Sequence, residues 1–270
     1  MYQLEFGEIV MILFSSKLSE VENRLLSNIK KTKVAFSEET QLVESGLILM
    51  RDMAHGTQDT VRDYEKNPNL LTNHNLFERN RELLLNAYFC MLCSSYGAMV
   101  VILRVVLEND FLMRLFKKQP QFAFEWLSEG IQGKFSIGIK SKYGKSGISN
   151  RKIKIDLGKA IFRDVAEKKA RSDINNFYKQ LSDYSHPNFE GWTHLINAND
   201  GYGIVQSIPQ FSQDYADEAM GMMLYFMQLS FKAFYETFKD YTKAFAPQLN
   251  EWQENFKKLM ARYEGRKILF

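Results

Sequence analysis

The sequence is poor in chain-breakers. Five prolines and fifteen glycines are spread over 270 residues, so long uninterrupted helices are easy to accommodate. Cysteine is scarcer still. Cys90 and Cys93 are the whole complement, which leaves no second pair for a zinc site and no disulfide framework. They read as structural thiols kept reduced in a cytoplasmic setting. Charge of one sign is lacking as well. A net charge of +3 does not by itself mark a nucleic-acid binder, so such a role needs local clustering. The N-terminus has no basic start followed by an apolar block, because Glu5 and Glu8 interrupt its apolar residues, and a secretory signal is not expected. Leu83 to Leu103 carries no charge and is long enough to cross a bilayer, which takes about 20 residues. However, Asn86, Tyr88, Ser94, Ser95, Tyr96 and Gly97 lie within it and Arg104 follows at once. We read it as a central helix buried by its neighbours, with no membrane partner.

What is present is apolar periodicity. The 45% apolar and 25% charged fractions are those of a globular chain rather than a disordered one. The sequence predicts an all-α helical bundle of long helices, with a basic glycine-rich loop and one short β-hairpin as an option. Residues 1–270 read as a single helical domain. A first helix extends to about Lys33. Ser37, followed by Glu38 and Glu39, looks like the cap and acidic first turn of a second helix, with Val43, Met50, Met53, Val61 and Tyr64 on one face before Asn67-Pro68. A third is expected from Leu76 to Phe116, and a short aromatic helix around Phe122 to Leu127. The clearest seam is Met220, Leu224, Met227, Phe231, Phe234, Phe238, Tyr241 and Phe245, spaced alternately by four and three. That is the pattern of a helix packed lengthwise in a bundle or against a copy of itself. A last helix is expected from Leu249 to Tyr263.

Residues 130–155 stand apart, with five glycines, seven Lys/Arg and no Asp or Glu. They read as a basic loop in which Lys134, Lys140, Lys142, Lys145, Arg151, Lys152 and Lys154 could follow a phosphate backbone while Phe135 and Tyr143 stack on bases. A merely solvated loop is the plain alternative. Gly138 to Ser146 is not a nucleotide-binding loop: five residues separate Gly138 from Gly144 where the motif needs four, and no strand precedes it. Around Asn199-Asp200-Gly201 we expect a turn, with a short strand at Ile204 to Ile208. No histidine or acidic cluster has metal-ligand spacing, so neither metal nor cofactor is predicted. His55 and His74 read as surface or hydrogen-bonded residues, and Pro187 and Gly191 separate His194 from His186.

The remaining chemistry lies in the helix from Leu157 to Ser185, which Pro187 stops. Ile174, Phe177, Leu181 and Tyr184 form its apolar stripe. At about 100° per residue, Lys179 falls about 200° from Phe177, and His186 falls about 200° from Tyr184. Both project away from the stripe, two turns apart, with Ser182 and Asp183 between them. A helix C-terminus and Asp183 both favour a protonated His186. An imidazole so placed can relay protons, and an ammonium can steady a phosphate. The same residues also suit an ordinary solvated helix face.

The segment Tyr178-Lys-Gln-Leu-Ser-Asp-Tyr-Ser-His-Pro-Asn, continuing to Gly191-Trp192, resembles the end of the last core helix in prokaryotic members of the HEPN superfamily, which share a Leu-Ser-x-Tyr-x-His-Pro pattern. The resemblance spans about residues 80–192. It implies a HEPN-like core over about 76–245, with N-terminal helices 1–67 packed on it. It also implies a homodimer and a metal-independent endoribonuclease or toxin, of the kind found in prokaryotic defence or stress responses. His186 matches the catalytic histidine. Lys179 stands where the family has arginine, and Arg104 and Arg171 are the candidate stand-ins. In that scheme the RNA 2′-hydroxyl attacks its own phosphodiester. His186 serves as base or acid, and Lys179 stabilises the developing charge. The lysine, which lacks the forked guanidinium, favours an alternative: a non-catalytic helical module that binds a protein partner or RNA.

Overall fold

The computed structural model describes residues 6–61, 67–131, 147–165, 174–176, 178–179, 181–182 and 210–262, of which 6–18, 128–131 and 147–151 are described by their backbone alone. Its helices are α1 (Phe6–Ala35), α2 (Ser37–Thr57), α3 (Pro68–Leu92), α4 (Tyr96–Lys118), α5 (Pro120–Ile131), α6 (Gly147–Val165), α7 (Gln213–Phe238) and α8 (Ala246–Met260). Short 3₁₀ turns at Gln58–Val61 and Lys243–Phe245 extend α2 and lead into α8. Helical backbone also occurs at 174–176, 178–179 and 181–182. There is no strand among the described residues, and the fold is all-α. The short strand expected at Ile204 to Ile208 lies outside them, as do residues 132–146 of the basic segment where a hairpin is an option.

Three helices carry the core. Asn73 of α3 bonds Thr237 of α7, Asn80 bonds Ser230, and Phe77 stacks on Phe234 with ring centroids 3.8 Å apart. As the α3 number rises the α7 number falls, so the two helices are antiparallel. Asp110–Ser230 and Arg114–Glu236 run in step, so α4 and α7 are parallel. The seam predicted on α7 is real from Met220 through Phe238, all fully buried. The helix stops there. Tyr241 sits in the following turn, half exposed, and Phe245 lies in the 3₁₀ turn. Met223, Phe226 and Ser230 are buried too, which makes α7 an interior helix rather than one with a single seam.

α2 and α8 close one side. The Trp252 indole N–H donates to the Leu42 carbonyl at 2.9 Å, and its ring packs on Phe231 and Phe256. Gly46 permits this, because a Cβ there would run into the Met227 side chain and the Trp252 ring. On the other side of α4, Phe162 of α6 meets Phe111 edge-on, centroids 5.3 Å apart. Gly158 lies so close to the Phe111 carbonyl that no side chain fits between.

Several expectations need correction. Ser37 is the first residue of α2, not its cap. Phe36, 3% exposed, is the whole connection from α1, and its N–H is satisfied by the Thr32 carbonyl at 2.9 Å. The helix expected from Leu76 to Phe116 is two helices. α3 ends in a tight corner where Ser94 adopts φ 65, the one non-glycine residue with positive φ among the described residues, and the Ser95 N–H bonds the Cys90 carbonyl at 2.8 Å. This is a Schellman-type end with serine where glycine is usual. The uncharged run is thereby folded into two antiparallel arms, and no described helix is long and apolar enough to cross a membrane. Of the segment expected as a basic loop, 130–131 belong to α5 and 147–155 to α6, and 132–146 lie outside the described residues. Ile155, Gly158 and Phe162 follow helical spacing and dock on α4, a stripe that glycines and lysines mask in the sequence.

Candidate functional site

Lys179 is exposed, whereas Ile174 and Leu181 are 5% and 1% exposed. The described part of this stretch therefore buries one side and offers the lysine from the other, as its spacing predicts. Tyr178, half-buried, fastens the stretch to α4. Its hydroxyl donates to Oε1 of Glu108 at 3.2 Å, and that carboxylate also pairs with Nε of Arg104 at 3.3 Å. Burial, with the Glu108 carboxylate close by, lifts the Tyr178 phenol above its ordinary range and keeps it a donor.

Two cations bracket the Tyr178 ring. Arg104 stands 5.7 Å from its centroid and Lys159 of α6 stands 4.4 Å from it, both within cation–π range. Burial pulls the Lys159 ammonium below its ordinary value. Asp156 opposes that pull and Arg163 adds to it. Arg104 and Lys159 thus both lie against one tyrosine ring, with Glu108 as the counter-charge, and Lys179 is the exposed residue that follows it. The sequence offers Arg104 as a candidate stand-in for the family arginine and gives no sign of Lys159. The only available signal was the four-residue step from Arg104 to Glu108.

The other predicted site residues divide. Lys152 is exposed on α6, and Arg151 lies on the same helix. Lys154 does not follow a phosphate track: it is 5% exposed and reaches Glu125 of α5 at 3.9 Å. His186, Asp183, Arg171, Lys140, Lys142 and Lys145 lie outside the described residues, as do Lys134, Phe135 and Tyr143. His74 is a hydrogen-bonded residue, with Nε2 3.0 Å from the Ala54 carbonyl, and His55 is exposed. No group of three or more metal-ligating side chains occurs among the described residues.

A second polar constellation was not anticipated. Inside the three-helix core, Asn80 Nδ2 donates to Asp110 Oδ1 at 2.9 Å, Ser230 Oγ donates to the same oxygen at 3.0 Å, and Asn109 donates to Asn80 Oδ1 at 2.8 Å. Asp110 is fully buried. Removal from water pushes its carboxyl up to about 8, against the pull of Arg114, Ser230 and Asn80. One turn on, Arg114 contacts both carboxylate oxygens of Glu236 at 3.0 and 3.2 Å and lies over the Phe162 ring at 4.5 Å. Glu108-Asn109-Asp110 falls in a stretch of α4, Val106 to Phe116, that is buried on every side. Polar residues there have to satisfy one another.

No protein-family model matches the chain, and no curated protein or solved structure matches it.

Proposed function

We propose that this chain is a HEPN-like, metal-independent endoribonuclease or toxin. It works as a cytoplasmic homodimer and serves in prokaryotic defence or stress. The observation that supports this reading is the cationic flank around Tyr178. Lys179 is exposed there, and Arg104 and Lys159 bracket the ring next to it. Two cations beside that ring and an exposed ammonium on the next residue suit a phosphodiester whose charge grows during cleavage. His186, seven residues beyond Lys179, supplies the proton transfers in this scheme, and Asp183 favours its protonated form. The 2′-hydroxyl is the nucleophile, and the products are a 2′,3′-cyclic phosphate and a 5′-hydroxyl. Lys140, Lys142, Lys145, Arg151 and Lys152 hold the RNA strand, with Arg171 as a further phosphate contact.

A second reading, a non-catalytic module that binds RNA or a protein partner, draws on Arg104. Its guanidinium is committed to Glu108, so it does not simply replace the family arginine. Labelled RNA incubated with the protein in EDTA separates the two. The nuclease reading predicts cleavage that His186→Ala abolishes and Lys179→Ala weakens. Cleavage unaffected by both variants removes the site, and RNA retained without cleavage by the purified wild type favours the module.

A further inference from the structure

Cys90 and Cys93 are the only cysteines in the chain, and both are free and partly exposed. They stand three residues apart at the end of α3. Cys93 is the cap residue, with φ −80 and ψ 1, and its N–H still bonds the Phe89 carbonyl at 3.0 Å. The helical turn is therefore intact through both, and side chains at i and i+3 leave a helix on the same side. We propose that Cys90 and Cys93 form a reversible intramolecular disulfide, which makes the corner between α3 and α4 a redox-responsive modification site.

The geometry suits a labile bond rather than a permanent one. Helical neighbours at this spacing have Cβ atoms about 5–6 Å apart, whereas a disulfide needs roughly 3.5–4.5 Å. Closure draws the two together by about an ångström or more. Cys93 yields more easily, because it lies at the helix end while Cys90 sits a turn inside. Strained disulfides of this kind are readily reduced and tend to be regulatory. Two neighbours register the movement. The Asn28 side-chain amide of α1 donates to the Cys93 carbonyl at 3.2 Å, and Ser94 next door holds the positive φ of the corner. Drawing in Cys93 thus alters both the α1 anchor and the turn that sets α3 against α4.

Burial lifts both thiols above their ordinary range, and the neighbouring Cys93 sulfur adds to the lift on Cys90. Cys93, at the helix end where the backbone yields most easily, is the first nucleophile. As a thiolate it attacks one sulfur of oxidised glutathione. The glutathione S–S bond breaks, and one glutathione leaves and takes up a proton. The Cys90 thiolate then attacks the mixed disulfide, forms the protein S–S bond and expels the second glutathione. The protein loses two protons and two electrons, and glutathione disulfide gains them.

The test treats the full chain with oxidised glutathione and follows thiol titre and intact mass. The expected product is monomeric, has lost both thiols, and is lighter by two hydrogen atoms. It reverts with reduced glutathione and forms faster as pH rises from about 7 to about 9. Cys90→Ser and Cys93→Ser each stop at a mixed disulfide with glutathione. Hydrogen exchange around Ser94 and Asn28 increases on oxidation. Retention of both thiols, two glutathione adducts on the wild type, or a disulfide only between chains overturns the proposal.

Discussion

The hydroxyl of Tyr178 lies 3.2 Å from Oε1 of Glu108, so the residue immediately before Lys179 is tethered to the buried face of α4. Removing that hydroxyl isolates the tether. Tyr178→Phe keeps the ring between Arg104 and Lys159 and leaves Glu108 its partner Arg104. We expect a loss of about 0.5–1.5 kcal/mol, measured by urea unfolding, without change in helical content. Tyr178→Ala also removes the ring and costs more, about 3–5 kcal/mol at the upper limit for a buried aromatic.

Asp110 makes stability depend on pH. Its folded-state carboxyl lies near 8, against about 3.9 when unfolded. The folded protein therefore holds a proton that the unfolded chain releases. The stabilising contribution is full below about pH 4 and is lost as pH rises towards 8, at up to about 1.4 kcal/mol per pH unit. Asp110→Asn keeps an acceptor for Asn80 and Ser230 and removes the titration. We expect the variant to be close to wild type near pH 4 and more stable near pH 9, as measured by denaturant unfolding across that range.

Gly158 tests the approach of α6 to α4. Gly158→Ala inserts a methyl group against the Phe111 carbonyl, which is backbone and cannot rotate away. We expect a loss of about 1–3 kcal/mol, despite the better helix propensity of alanine. Near-UV circular dichroism should change through Phe162 and Tyr178. A neutral or stabilising result contradicts the close contact.

Lys179→Arg tests the proposed chemistry. Arginine restores a two-pronged donor for phosphate, so the nuclease reading predicts faster RNA cleavage in EDTA, by about tenfold, equivalent to about 1.4 kcal/mol of barrier. An unchanged or slower rate counts against Lys179 as the charge-stabilising group.

The all-α class and the buried seam of α7 were legible because both rest on spacing, which survives any packing. The break after Leu92 was not. No proline or glycine marks it, and Ser94 takes a conformation that its type does not announce. The first half of α6, residues 147–155, reads as part of a loop because Gly147 and the basic residues Arg151, Lys152 and Lys154 outweigh its few apolar positions. For the site, the outward placement of Lys179 followed from the stripe of Ile174 and Leu181. Lys159 came into view only once α6 was set beside the 174–182 stretch, a tertiary fact. The Asp110 network was hidden for a related reason: its members come from three helices and have no local pattern.

The antiparallel match of α3 with α7 sets a timetable for biosynthesis. Asn80 and Ser230 are 150 residues apart in the chain. At about 5–20 residues per second, a ribosome needs roughly 8 to 30 s to deliver the second after the first. Throughout that interval Phe77 and its neighbours have no Phe234 to stack on. Nascent α3 and α4 thus emerge with the faces that α7 covers still open to water, until the C-terminal third arrives.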